Sequence, residues 1–422
     1  MFKAFTPQRQ HVLESCPMNS LENRADLDAA DHQRMTHDEA VAWAKGMIPA
    51  LAGRATEAEH LRELPQATID EVAASGAFRL LVPSDLGGWG LGLRSITEMA
   101  RVMAHGCVSS AWTISFLMLH NWFVARGPKA LQDDLFATRP YVMMPCPLAP
   151  TGTAIPVRGG YKMTGRWQWA TGVQHADWVM VNTLVDRDGE PEARYCLAPI
   201  SDVEVDDVWW TSGMRGTGSN DIVADQVFVP EHRTMTAADF RGDEPPGAGV
   251  RSDAFVRYPL TPVLVLVAAA PALGGAEAAV DLFREHMRER LLPYSAGERQ
   301  AAQPASQVRL AEALATVRAA RLVWQDAIDD VCDIYDAGRQ LNRRERSRYR
   351  LAAAHTVRLS LQAVNIVLEG SGASVFFEDA PLGRIQRDLV TIKGHVVYDW
   401  DRAAQLVGKL EIGEEPGPTD ML

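Results

Sequence analysis

The sequence predicts a mainly α-helical protein with a small β domain between two helical domains. Apolar residues recur at spacings of three and four from about residue 36 to 140, and again from about 255 to 410. Between them, residues 141–235 contain short runs rich in Val, Trp and Tyr in which polar and apolar residues alternate. Residues 236–254 are rich in Gly, Pro and charge, which predicts a linker between the β domain and the second helical domain.

The N-terminal part begins with an expected polar, loosely held extension over residues 1–35, which lacks the apolar core of a signal peptide. Two or three helices follow over residues 36–140, and Thr36 with Glu39 forms a predicted capping box at the first of them. The stretch VPSDLGGWGLGL at 82–93 interrupts the helical period. Its glycines lack the spacing of a dinucleotide-binding loop and no βαβ unit surrounds them, so we predict a structural turn.

The C-terminal region, residues 255–422, is predicted to be a helix bundle with a polar tail. Its last helix is expected to begin near Asp388. The most apolar run, residues 259–276, is broken by prolines and a Gly pair and falls short of the roughly 20 residues that cross a bilayer, which predicts a buried helix. The charged run at 338–350 fits either a docking patch for a reductase or a solvated helix connection.

Composition narrows the possible partners. The chain has 422 residues, of which 47% are hydrophobic and 23% charged, as in ordinary globular proteins. Its net charge of -12 makes nucleic acid and an anionic membrane surface unexpected partners. Five cysteines without a C-x-x-C pair indicate neither a disulfide framework nor a zinc site, and they favour a cytoplasmic location. No histidine and carboxylate spacing predicts a metal site.

Two stretches of the β domain carry side chains suited to binding. The run RWQWATG places Trp167 and Trp169 beside Thr171, so that a planar ring could stack on an indole while the hydroxyl donates a hydrogen bond to a ring nitrogen. The alternative is a strand edge with core tryptophans. The stretch at 209–230 holds a Gly-rich turn with Arg215, which is either a cofactor-binding residue that faces an anionic group or part of a plain hairpin.

Four motifs, taken in order, resemble the acyl-CoA dehydrogenase fold over roughly residues 36–410. They are VPSDLGGWGLGL, WATG, SGMRGTGSNDIVADQVFVP and EGSGASVFFEDAPLGRIQRD. The resemblance implies an N-terminal helical domain, a central β barrel and a C-terminal four-helix bundle, assembled as a homotetramer. It also implies that Trp169 and Thr171 contact the flavin ring, and that Gly370 and Gly372 belong to a flavin site shared with a neighbouring subunit.

The chain departs from the dehydrogenases at their catalytic base. Those enzymes commonly carry a glutamate about eight residues after an Arg-Asp pair, whereas Arg387 and Asp388 are followed here by LVTIKGHVVYDW, with His395 in that place and no glutamate. This pattern is similar to the oxygenase components of two-component flavin monooxygenases, such as the 4-hydroxyphenylacetate-type and polyketide-tailoring hydroxylases. A second histidine of that subfamily comes from the long N-terminal helix, and His120 matches it.

This second resemblance implies a flavin-dependent monooxygenase that uses reduced FMN or FAD and O2. It would hydroxylate an electron-rich aromatic substrate, phenolic or polycyclic, through a C4a-hydroperoxyflavin. A separate NAD(P)H-dependent reductase would supply the reduced flavin, by diffusion. The expected catalytic residues are His395 as base or hydrogen-bond partner of the peroxide, His120 to orient the substrate oxygen, and Thr171 near flavin N5.

Three alternatives remain open. The chain could be an acyl-CoA dehydrogenase with another base, such as Glu277 on an earlier bundle helix. It could use the same oxygen chemistry on an amine, for example an amino sugar, in which case His395 would matter little. It could also be a catalytically silent flavin-binding or scaffold protein.

Overall fold

The computed structural model describes residues 34–293, 295–417 and 420. Almost all of the predicted polar extension, residues 1–35, lies outside the described residues. In the predicted linker at 236–254, the structure has one short helix, α7 (Ala237–Arg241), and a 3-10 turn at Pro246–Gly249.

A layer of helices precedes the sheet. Its members are α1 (His37–Gly53), α2 (Ala55–Leu61), α3 (Gln66–Ala74), α4 (Leu93–Met103), α5 (Val108–Arg126) and α6 (Lys129–Leu135). The predicted capping box of α1 is confirmed, because Thr36 accepts a bond from the backbone of Glu39 and the Glu39 carboxylate accepts one from the backbone of Thr36.

Helix α5 is buried on nearly all sides, which explains its apolar sequence. Arg126 anchors its C-terminal end by donating to the carbonyls of Phe240, Val256, Tyr258 and Gly242 at 2.7–2.9 Å. These bonds fix α5 against the segment that follows the sheet. Helix α5 is therefore held in a fixed position relative to the segment that follows the sheet.

The β domain is one open sheet of seven strands among the described residues. The strands are β1 (Gly152–Val157), β2 (Gly160–Ala170), β3 (Trp178–Arg187), β4 (Glu190–Pro199), β5 (Glu204–Asp206), β6 (Asn220–Pro230) and β7 (Thr234–Thr236). Their order is β5-β6-β2-β1-β3-β4-β7, with β1 parallel to β3 and the other neighbours antiparallel. The predicted closed barrel is wrong, because the three-residue strands β5 and β7 end the sheet at opposite edges and do not pair.

The C-terminal region is helical, as predicted. Its helices are α8 (Leu260–Glu289), α9 (Pro304–Asp336), α10 (Arg343–Ser371), α11 (Pro381–Lys393) and α12 (Trp400–Glu411). Helices α8, α9, α10 and α11 pack around a shared apolar core, and α12 lies against α10. Asp388, where we expected the last helix to begin, lies inside α11.

The apolar run that the sequence breaks at its prolines forms the first half of the 30-residue helix α8, and Pro271 lies inside that helix. By length and composition alone, α8 and α10 of the described residues could each cross a membrane. In this fold, 94% of the most apolar window of α8 is buried inside the protein. The prediction of a buried helix is confirmed, and that helix continues past the prolines of its apolar run.

The stretch at 82–93 forms a packed turn before α4. A Cβ on Gly88 would lie 2.0 Å from the carbonyl oxygen of Val82, so only glycine fits there. Trp89 is buried, and its backbone N–H donates to the carbonyl of Arg79. The predicted structural turn is confirmed.

Candidate active site

A cavity of about 350 Å³ opens between the sheet, helix α5 and the C-terminal end of α11. Its walls are apolar and hydroxyl side chains, and no Asp, Glu, Lys or Arg of the described residues lines it. The lining residues are Trp112, Trp169, Thr171, Val208, Trp209, Thr211, Met214, Thr217, Ser219, Thr391, Ile392, Gly394, His395 and Val396. The fold thus brings His395 to the same cavity as Trp169 and Thr171, which precede it by more than 200 positions in the chain.

Trp169 lies at an irregular point of strand β2. The pairing of β2 with β6 changes register between Trp167 and Ala170, and Trp169 there adopts φ 67°, a left-handed conformation that is rare for a bulky residue. Its backbone N–H donates to Asp221 Oδ1 at 3.3 Å. The indole is 62% exposed and lines the cavity, whereas Trp167 is buried in the core of the sheet. Backbone strain that presents an exposed aromatic ring to a cavity is typical of a ligand-binding position.

A row of hydroxyl groups lies beside Trp169. Thr171 Oγ1 is 3.0 Å from Ser219 Oγ, and Ser219 Oγ is 2.7 Å from Thr217 Oγ1. Thr217 Oγ1 donates to the carbonyl of Met214 at 2.9 Å. The backbone N–H of Gly172 donates to the carbonyl of Thr217 at 2.9 Å, which holds the end of β2 against the Gly-rich turn. The sequence shows the hydroxyls of Thr217 and Ser219 in the Gly-rich turn, but it carries no signal that they form a row with Thr171.

The Gly-rich turn is fixed to helix α11. A Cβ on Gly213 would lie 2.0 Å from the carbonyl oxygen of Arg387, and the buried Asp388 accepts a bond from the backbone N–H of Met214. Burial raises the pKa of Asp388 to about 7. Arg215 is half-buried in this turn and is not among the residues that line the cavity. Its role toward an anionic group therefore stays a prediction.

His395 follows the C-terminal end of α11 and lines the cavity. Its Nδ1 accepts the backbone N–H of Val397 at 3.3 Å and caps the 3-10 turn at Val396–Tyr398. The side chain remains accessible from the cavity, but the surrounding protein atoms disfavour the cation and lower the pKa of His395 to about 4. A neutral ring whose Nδ1 accepts a bond carries its proton on Nε2, so His395 offers a hydrogen-bond donor to the cavity.

His120 has a different environment. It is buried on α5, its Nδ1 is 2.5 Å from the carbonyl oxygen of Met144, and burial lowers its pKa to about 4. It does not line the cavity of His395. A chain of ring contacts links the two histidines: the Phe116 ring is 5.5 Å from His120 and 4.7 Å from Trp112, and the Trp112 ring is 5.9 Å from His395. The role of His120 toward a substrate therefore stays a prediction.

Comparison with known proteins identifies the fold family. The chain matches the family model for the acyl-CoA dehydrogenase N-terminal domain over residues 30–133 and the model for the acyl-CoA dehydrogenase C-terminal domain over residues 266–400. The structure of HsaA monooxygenase from Mycobacterium tuberculosis has a TM-score of 0.86 and is 30% identical, covering 92% of this chain and all of that chain.

Curated relatives identify the subfamily. The oxygenase subunit HsaA of a flavin-dependent monooxygenase from M. tuberculosis is 32% identical over 88% of this chain and 95% of that protein. The oxygenase component of p-hydroxyphenylacetate 3-hydroxylase from Acinetobacter baumannii is 30% identical over 88% of this chain and 89% of that protein. This chain is an oxygenase component of the flavin-dependent monooxygenase family. The predicted resemblance is confirmed.

A solved member of the flavin monooxygenase fold has been crystallised with its cofactor. XiaF from Streptomyces sp., in complex with FADH2 and glycerol, has a TM-score of 0.85 and is 28% identical over 96% of this chain and all of that chain. The residues of the present cavity fit such a group, because an exposed indole and a row of hydroxyls border an uncharged, apolar space. Trp169 and Thr171 are the residues that would hold a flavin ring here.

The acyl-CoA dehydrogenase alternative requires a base at the cavity, and Glu277 is the residue considered for that role. Glu277 lies outside the cavity, where its carboxylate pairs with Arg101 and lies 3.1 Å from His105 Nε2 and 3.6 Å from Arg321. Although burial raises the pKa of Glu277, its bonds with His105 and Arg101 outweigh this and leave the pKa below its usual value. A carboxylate held in this way supports the helix packing and cannot reach a substrate beside Thr171.

Gly370 and Gly372 lie at the C-terminal end of α10 and do not line this cavity. The carbonyl of Gly370 accepts bonds from Gln300 at 2.7 Å and Arg290 at 3.1 Å. Gly372 has φ 76°, and a Cβ there would lie 2.3 Å from Arg290 Nη2. Both glycines therefore have a packing role within this chain, and their contribution to a flavin site stays a prediction.

Proposed function

We propose that this oxygenase component binds reduced FMN or FAD at Trp169 and Thr171 and hydroxylates a neutral, electron-rich aromatic substrate. The single observation that carries the proposal is the convergence of Trp169, Thr171 and His395 on one cavity whose described lining has no carboxylate base. Reduced flavin with O2 supplies an electrophilic oxygen, which favours phenols and fused-ring aromatics. An enzyme that oxidises thioesters would need a base in the same space.

The protein's own residues bind, orient and exclude water. Trp169 packs against the flavin ring, and Thr171 offers its hydroxyl oxygen beside it. His395 donates from Nε2 to an oxygen of the substrate or of the oxidant, since its Nδ1 is occupied by Val397. Trp112 and Trp209 form apolar walls for a flat substrate.

The lining also supports a limit on the substrate. A carboxylate on the substrate would be desolvated in this cavity without an Arg or Lys of the described residues to pair with it, which costs free energy. We therefore propose a substrate without a carboxylate near the reacting ring. The relatives that act on p-hydroxyphenylacetate and on indole-3-acetate, according to their names, have substrates that carry one.

Two tests address this proposal together. Anaerobic titration with photoreduced FMN and FAD measures binding, and 18O2 labelling measures oxygen transfer to a panel of phenols and naphthols with and without a carboxylate. We expect one 18O atom in the product of a neutral substrate and poor turnover of its carboxylate analogue. Bleaching of bound oxidised FAD by an acyl-CoA thioester, without oxygen transfer to any aromatic, would overturn the proposal.

A matched pair of tryptophans provides the control. Trp169 and Trp210 are 62% and 69% exposed, but Trp210 packs on the guanidinium of Arg62 and does not line the cavity. Trp169→Ala should weaken binding of reduced flavin by roughly tenfold or more, the loss expected for one stacking contact. Trp210→Ala should leave it unchanged.

The proposal also covers the delivery of reduced flavin by a separate reductase, the assembly of the chain and its location in the cell. Four arginines of the charged run at 338–350 form ion pairs within the chain, among them Arg343 with Glu415 and Arg348 with Glu411, which favours flavin delivery by diffusion over a docking patch. We propose a homotetramer and a cytoplasmic location. Exposed Phe376 and Phe377 beside Gly372 support a subunit contact there, and the described cysteines are free thiols. Light scattering on the purified protein tests the assembly.

A further inference from the structure

The hydroxyl row beside Trp169 has a direction that its distances determine. Two oxygen atoms within 3.0 Å of each other require one hydrogen between them, because their lone pairs otherwise repel. The three contacts of the row, Thr171 to Ser219, Ser219 to Thr217 and Thr217 to the Met214 carbonyl, are 3.0, 2.7 and 2.9 Å long. The three hydroxyls hold one hydrogen each, so each contact uses one of them.

The carbonyl at the end of the row sets the direction. A carbonyl oxygen cannot donate, so the hydrogen between Thr217 and Met214 belongs to Thr217. Ser219 must then donate to Thr217, and Thr171 must donate to Ser219. The hydroxyl of Thr171 therefore has only lone pairs left for the cavity, which reverses the expectation that it donates a hydrogen bond to a flavin nitrogen.

We infer that Thr217 and Ser219 are positioning residues that make Thr171 a hydrogen-bond acceptor, and that this selects reduced over oxidised flavin. The inference rests on the proposed function. N5 of a reduced flavin carries a hydrogen and can donate to Thr171, whereas N5 of an oxidised flavin has only a lone pair. The second arrangement places two acceptors against each other, which leaves both unsatisfied and costs free energy.

The surroundings of the row keep its direction fixed. Thr217 and Ser219 are 2% and 4% exposed, so solvent has little access to their hydroxyls. The Met214 carbonyl also accepts the indole N–H of Trp209 at 2.9 Å, and the backbone N–H of Met214 is bound by Asp388. The acceptor that ends the row is thus held in place from two sides. Low solvent access also strengthens the preference for reduced flavin, because water cannot supply the hydrogen bond that oxidised N5 and Thr171 fail to form with each other.

The test is the ratio of the dissociation constants for oxidised and reduced flavin, measured anaerobically with FMN and with FAD. Thr217→Val removes the group that accepts from Ser219, so Ser219 can donate to Thr171 and the Thr171 hydrogen can turn to the cavity. We expect the ratio to fall roughly tenfold, the effect of one hydrogen bond. For a two-electron couple, a tenfold change corresponds to a midpoint potential of the bound flavin about 30 mV lower.

Companion variants separate positioning from damage to the fold. Ser219→Ala should lower the ratio as well, and it serves as the second variant if Thr217→Val does not fold. Thr183→Val is the matched control, since Thr183 is buried in the same sheet, donates to the carbonyl of Arg194 and does not line the cavity. In a Thr171→Val background, Thr217→Val should cause no further change, because its effect passes through Thr171.

The outcomes are distinct. If wild type binds reduced flavin but Thr217→Val and Ser219→Ala keep its ratio, the inferred direction of the row is wrong while the proposed function stands. A Thr217→Val effect that persists without the Thr171 hydroxyl would also overturn the inference. If wild type binds no reduced flavin, the proposed function and this inference fail together.

Discussion

Two substitutions of His395 separate the functions of its ring nitrogens. In wild type, Nδ1 caps the turn at Val397 and Nε2 is left to serve the cavity. Asparagine places a side-chain oxygen close to the Nδ1 position and so keeps the cap, but it does not extend to the Nε2 position. Glutamine places an amide donor close to the Nε2 position but is a poor cap. We therefore expect His395→Asn to be stable but slow, and His395→Gln to be less stable but faster than His395→Asn.

The magnitudes follow from the two hydrogen bonds. The capping bond is long, at 3.3 Å, and lies at an accessible position, so its loss in His395→Gln should lower the free energy of unfolding by about 1 kcal/mol. A hydrogen bond to a charged oxygen contributes about 1.5–3 kcal/mol, so His395→Asn should form product roughly 10- to 100-fold more slowly. Urea unfolding measures the first quantity, and single-turnover product formation with reduced flavin and O2 measures the second.

Two results would refute this reasoning. If His395→Asn retains more than about a third of the wild-type rate, Nε2 makes no functional bond. If both variants lose 10²- to 10⁴-fold, the range of general acid–base catalysis, then His395 transfers a proton and the donor assignment is wrong.

Three further predictions concern stability and alternative roles. Between pH 7 and pH 5, the free energy of unfolding of wild type should fall by about 2 kcal/mol more than that of His120→Asn. The reason is that burial holds the pKa of His120 at about 4 in the folded protein, so the unfolded chain binds more protons below about pH 6.5. Urea titrations at both pH values measure this difference, and they would show none if His120 were not buried as a neutral ring. Trp169→Gly should raise the free energy of unfolding by about 1 kcal/mol, because glycine adopts φ 67° without strain. The same substitution should weaken flavin binding. A less stable variant in thermal melts would contradict the strain argument. Glu277→Gln should cost about 1.5–3 kcal/mol of stability, because Arg101 loses its charged partner on α8 and keeps only Glu98. The rate of product formation per folded molecule should remain at the wild-type value, and loss of that rate would revive the dehydrogenase base.

Local patterns were sufficient for the order of elements but not for how the sheet ends. The helical periods, the capping box at Thr36 and the turn at 82–93 depend on contacts between near neighbours, which the sequence displays directly. Whether a sheet closes depends on the pairing of its two edge strands, and β5 and β7 are too short to give a periodic signal. The length of α8 is likewise not a local property, because tertiary packing stabilises a helix that continues past Pro271.

The sequence by itself determined the family and three of the residues at its cavity, because Trp169, Thr171 and His395 stand in motifs whose order and spacing are specific. Only the tertiary structure decided that His120 is buried outside the cavity lining and that Glu277 is committed to an ion pair. It also decided the direction of the Thr171 hydroxyl. The physical reason is that a hydroxyl, imidazole or carboxylate acquires its role from the partner across from it, and those partners come from distant parts of the chain.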